Sequence, residues 1–275
     1  IMSRLVTPKA AKVSVAIAMI AFLVGVQQSI DLKIGDLEEG QPMLQPDSRY
    51  NLDNQYVTSS YSTSSDQLVV FVKTAVDGCT EFPVVSEMNR LQWQLQNTQG
   101  VQFTESVVNV AKLVRFGTNE GNPKWLELTR DQYNLTRQIG LAGINRDCSV
   151  AFMRVYLTDH KSETLGRVTG VVEAFNREHG SGQVQFLLGG GNAGIAAATN
   201  QVIERSQLPM LLLVYAVVAG LCLLTFRSLR AVICILIPLA LTSVLCQALM
   251  AHLRIGVTVA TLPVIALGVG IGVDY

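Results

Sequence analysis

Two residues near the end of the sequence, Asp274 and Tyr275, are chemically able to handle protons. A carboxyl takes up and releases a hydrogen ion, and a neighbouring phenol can hydrogen-bond to it. They follow LPVIALGVGIGV, an uncharged apolar run. Placing an ionisable side chain inside a membrane segment costs about 2.5–3.5 kcal/mol on insertion scales, so such residues usually face a bundle interior and serve ion or proton movement. Gly268, Gly270 and Gly272 lie just before the pair. Their GVGIG string has part of a dinucleotide-binding spacing, but no strand–helix–strand context surrounds it. The reading it supports is helix packing, because small residues let backbones approach closely in a membrane bundle.

Such a pair needs helices around it, and the composition supplies them. Of 275 residues, 49% are hydrophobic and only 15% charged. The apolar residues collect at the N-terminus and from Leu208 onward. Residues 208–226 carry no charge and are long enough to cross about 30 Å of hydrocarbon at 1.5 Å per residue. Residues 231–252 form a second such run, and a third begins near Ile255 and reaches Tyr275. At the N-terminus the apolar run 13–26 extends to about 10–30, with Lys12 snorkelling at one end. A signal peptide is the rival reading, but no small-x-small cleavage site follows, and an uncleaved span is expected. Ile1 precedes Met2 and the last residue falls within an apolar run, so the sequence reads as part of a longer protein.

Basic residues flanking the spans set the orientation. Arg4, Lys9 and Lys12 precede the first span, and Arg227 and Arg230 join the second to the third. Both groups favour the cytoplasm. The expected order is therefore residues 1–30 as cytoplasmic N-terminus and first span, 31–207 as an outer domain, and 208–275 as spans two to four with the fourth incomplete.

The outer domain reads as α+β. Residues 67–73 form an apolar strand, Val84, Met88, Leu91 and Leu95 a helical stripe after Pro83, and Val101 with Phe103 a returning strand. The pattern recurs about 80 residues later and supports a duplicated strand–helix–strand unit. There Ala151, Met153, Val155 and Leu157 share a strand face, and Leu165, Val168, Val172 and Phe175 share a helix face behind Ser162 as N-cap. Val184, Phe186 and Leu188 alternate. Residues 117–145 are polar and compatible with short helices. GGGN at 189–192 reads as a turn, and 194–207 is Ala-rich and helical in propensity, either a plain connector or a helix running on into the second span.

Other chemistries find little support. Basic and acidic residues balance at 21 each, so there is no basic stripe for nucleic acid. His160, His179 and His252 are scattered, so no metal site is expected, and no nucleophile–base set has local context. Cys222, Cys234 and Cys246 fall in spans. Cys79 and Cys148 fall in the outer domain, where an oxidising compartment would let them pair and close a loop of about 70 residues, worth roughly 4 kcal/mol in the chain-entropy model.

The loop TFRSLRA (225–231), the run LPVIALGVGIGVDY (262–275), GNAGIAAATN (191–200) and DLEEGQPMLQPDSRYN (36–51) together resemble the RND superfamily of transporters, in the branch of the MMPL lipid exporters. The resemblance spans essentially the whole chain. It implies an α-helical membrane protein with an α+β periplasmic domain of duplicated βαβ (ferredoxin-like) porter units and four spans of an N-terminal half. It further implies a proton-driven exporter in the bacterial inner membrane, with residues 31–207 in the periplasm and no enzymatic activity. Asp274 matches the proton-relay aspartate of the fourth span and Tyr275 the tyrosine hydrogen-bonded within the relay. The coupling ion is the proton, without another cofactor. The expected partners are membrane lipids, a hydrophobic substrate, the C-terminal half of the same transporter and, as an open alternative, a second copy. A lipid- or sterol-sensing receptor and a protein-translocation accessory of the same architecture are the competing functions.

Overall fold

Strand β1 (Gln67–Thr74) is built from β-branched and aromatic residues, which suit a pleated, half-buried surface. It sits at the centre of its sheet. In the computed structural model, which describes residues 8–37, 40–41, 44–45, 47–61, 64–140 and 143–262, it pairs antiparallel with β3 (Val150–Leu157) on one side and β4 (Val184–Gly190) on the other. Strand β2 (Val101–Glu105) pairs antiparallel with β3, giving the order β2-β3-β1-β4. Two strand–helix–strand runs thus interleave in one sheet, the arrangement of the split βαβ motif. The first run is bridged by α3 (Phe82–Gln96) and the second by α6 (Ser162–His179).

One face of this sheet is closed. Leu68, Val70 and Val72 of β1 and Ala151, Met153, Val155 and Leu157 of β3 are fully buried. They meet the helical stripes Val84, Met88, Leu91 and Leu95 of α3 and Leu165, Val168, Val172 and Phe175 of α6. The period-two and helical repeats in the sequence therefore point where they were expected to point. The β2 strand differs. Its core residue is Thr104, while Phe103 is exposed, because the β2–β3 register shifts between Val101 and Phe103. The extra residue at that irregularity turns Phe103 to the open face. Ser162 is the first residue of α6 and Lys161 occupies the N-cap, without a side-chain capping bond.

Three helices lie outside the strand–helix–strand pattern. They are α2 (Arg49–Ser60), α4 (Val107–Thr118) and α5 (Gln132–Ile139), with short 3₁₀ turns at Gly78–Thr80 and Pro123–Trp125. The start of α4 is held by a capping box between Ser106 and Asn109, which satisfies free N–H groups of the first turn. Gln92 of α3 joins it, donating to Asn109 Oδ1 (2.8 Å) and accepting from Ser106 Oγ (2.7 Å).

The remaining helices are long and apolar. They are α1 (Pro8–Ser29), α7 (Gly191–Phe226) and α8 (Leu229–His252), each of a length and composition able to cross a membrane. The Ala-rich segment is part of α7, so strand β4 passes straight into a 36-residue helix. Gly189 and Gly190 belong to β4 and Gly191 opens α7, in place of a turn. Gly191 has φ +78°, and a Cβ there would collide with the Gln67 carbonyl, so only glycine fits.

The chain divides into two compact units, one of residues 38–198 around the sheet and one of residues 1–37 and 199–275. In the second, α1 packs on α8 through Gly25, where a Cβ would lie 2.9 Å from Val244 Cγ1.

Candidate functional site

Asp274, Tyr275, Gly268, Gly270 and Gly272 lie outside the described residues. What is described is the approach to them. The fourth apolar run does not become helical at Ile255. Residue Val257 is instead extended and forms a parallel bridge with Ile34, just after α1. Gly35 N donates to Val257 O and Val257 N donates to Lys33 O, both at 2.9 Å. Only after this bridge does the chain turn. Thr258 N donates to Thr261 Oγ1 (2.8 Å), Thr261 N donates to Thr258 Oγ1 (3.4 Å), and Leu262 N donates to Thr258 O (2.9 Å). Reciprocal bonds of this kind are how a helix start satisfies its free N–H groups.

Within the helices a polar contact appears that periodicity could not reveal. Tyr215 of α7 donates to the Leu239 carbonyl of α8 (3.1 Å), and its hydroxyl lies 2.8 Å from Ser243 Oγ. Ser243 is buried. A hydroxyl in an apolar helix needs a partner, and an interhelical hydrogen bond supplies one. A polar residue in each of two apolar runs was the available signal, but pairing them requires the rotational phase of both helices.

In the sheet unit the structure joins Cys79 and Cys148 by a disulfide, with Cα atoms 5.2 Å apart and a sequence separation of 69. Cys79 lies in the Gly78–Thr80 turn and is buried; Cys148 lies in the loop before β3, with φ +46°. That loop is fastened by its own side chains. Asn145 Oδ1 accepts from the backbone N–H of Ser149 and Val150, and Ser149 Oγ donates to Asp147 Oδ1, each at 2.9 Å. The Ser149 hydroxyl holds the Asp147 carboxyl below its ordinary value of 3.8. Cys222, Cys234 and Cys246 are free thiols.

The open sheet face carries a charged cluster. Arg154 Nη1 lies 3.1 Å from Glu105 Oε2, which also accepts from Tyr156 Oη at 3.2 Å. The Arg154 guanidinium lies 4.7 Å from the Phe152 ring centre. Burial first, then the Glu105 charge, raises the Tyr156 phenol above its ordinary value of 10.0. Among the described residues, no group of histidines, cysteines and carboxylates has a metal-binding arrangement.

Compared with known protein families, residues 94–275 match the MMPL family, from inside α3 to the last residue. The chain belongs to the MMPL family. The resemblance carried by the 225–231 loop and the 262–275 run therefore identifies the right family, and the three long apolar helices suit its membrane character. A search of curated proteins finds no match.

Proposed function

We propose that this MMPL protein is part of a proton-driven exporter of lipids or other hydrophobic molecules. The observation that carries the reading is the family match across the fourth apolar run, which includes Asp274 and Tyr275. In this reading Asp274 takes up a proton from the outer side, loses its charge and lets the helices around it repack. Release to the cytoplasm resets it, and Tyr275 supplies a hydrogen bond to the carboxyl. Gly268, Gly270 and Gly272 allow a close helix approach beside it. Protons are the only coupling ion required.

The sheet unit is then the periplasmic porter domain of a protein in the inner membrane, its two interleaved strand–helix–strand runs being a duplicated unit. The Cys79–Cys148 disulfide supports this side assignment, because disulfides persist in oxidising compartments. Arg227 in the short α7–α8 connection and Arg230 at the start of α8 support a cytoplasmic position for that connection.

The test is Asp274→Asn in the full-length protein, reconstituted in vesicles with an imposed proton gradient and Nile red as the hydrophobic probe. Loss of gradient-driven Nile red movement with normal membrane insertion is expected. Undiminished movement would reject the relay, and movement indifferent to the gradient in the unaltered protein would favour a sensor.

A further inference from the structure

The chain leaves the membrane unit after Leu37 and returns to it at Thr199. Within that unit the two crossing points are held together. The Asn200 side chain closes over Gly35, whose φ is +91° and where any Cβ would collide with the Asn200 amide. Gly35 is also the residue bonded to Val257, on the way to the fourth apolar run. Gly256 approaches so closely that a Cβ on it would collide with the Gly35 carbonyl. Val257 is fully buried, in a cluster with Ile203 of α7 and Met250 of α8, against which Leu32 and Ile34 also pack.

Three segments are therefore fastened at one place: the exit toward the sheet unit, the return from it, and the lead into the run that ends at Asp274. Two of the contacts run backbone to backbone, across glycines that admit no side chain. Such a contact has little play, unlike one made through flexible side-chain ends. Packed side chains and rigid elements in contiguous contact can carry coupling between distant sites.

We infer that the Ile34–Val257 bridge, with Gly35 and Gly256, is the joint that transmits displacement of the fourth apolar run to both strands of chain entering the sheet unit. The inference rests on the proton-driven reading above. Gly256 and Val257 are positioning residues in it; they touch neither the proton nor the substrate.

Gly256→Val in the full-length protein tests the joint, in vesicles carrying an internal pH dye and Nile red. The bridge opens because the new side chain cannot share space with the Gly35 carbonyl. Proton uptake is expected to continue while Nile red export falls about tenfold, the upper part of the range seen for coupling mutations. Unchanged export overturns the inference. Loss of proton uptake together with export also overturns it, because the bridge would then serve only to hold the fourth run. If the variant fails to insert, the Ile34→Cys/Val257→Cys pair decides. Oxidising that pair should leave export unchanged, since the two segments already move as one; loss of export on oxidation, restored by reductant, overturns the joint. Asp274→Asn is run alongside. Undiminished export in that variant defeats the relay reading itself, whereas the joint is judged by the uncoupling in Gly256→Val.

Discussion

The two units of this chain use apolar residues in opposite ways. In the sheet unit Leu68 is 0% exposed, locked between the sheet and its helices. In α7 Leu213 is 64% exposed and Leu224 is 76%. One unit is held by removing apolar surface from water; the other presents that surface to a solvent as apolar as itself. Cohesion in the second must therefore come from close packing and hydrogen bonds, such as Gly25 against Val244 and Tyr215 with Ser243. The lesson is that equal hydrophobicity in a sequence says nothing about where stability resides.

Single substitutions put this contrast to the test. The largest effect belongs to the disulfide. Cys148→Ser should lower the stability of the sheet unit by about 4 kcal/mol, the chain-entropy value for a loop of this length. Denaturant unfolding followed by tryptophan fluorescence would read it, and an unchanged midpoint would remove the disulfide from the account. Leu68→Ala comes next, with about 3 kcal/mol lost by cavity formation in a fully buried site. Leu213→Ala, the same chemical change in the membrane unit, should cost close to nothing in thermal unfolding from lipid nanodiscs; a loss matching that of Leu68→Ala would abolish the distinction between the units.

Tyr215→Phe should cost about 0.6 kcal/mol, typical of an interhelical hydrogen bond in a membrane protein. The smallest effect is acidic. Because the Asp147 carboxyl titrates below 3.8 in the folded protein, its stabilisation is present above that value and is lost as pH falls through the lowered pKa. Ser149→Ala should flatten that part of the stability–pH curve, lowering stability slightly at neutral pH and converging with the unaltered protein in acid; identical curves would discount the Ser149–Asp147 bond.

How much of this could be read from the sequence depended on whether a signal was local. Strands β1 and β3 and helices α3 and α6 declared themselves because each repeats its apolar residues with a fixed period. Phe103 misled because a register shift against β3, not β2's own sequence, decides which face it takes. Helix α4 was missed although its capping box is local, because Asn109 stands where that motif usually carries Glu or Gln. The start of the fourth run near Ile255 was legible as an apolar run, but the pairing of Val257 with Ile34, a residue remote in sequence, was not. The contact between Tyr215 and Ser243 was hidden for the same reason. The candidate relay was legible by residue type and context alone, since a carboxyl after an uncharged run is conspicuous without any fold.

The connection between α7 and α8 has a consequence for the pairing of these helices. Only Arg227 and Ser228 separate them. A link that short makes the two helices antiparallel neighbours and leaves little freedom for one to slide along the other. The level at which Tyr215 meets Ser243 is thereby set from the helix ends, and each hydroxyl keeps its partner.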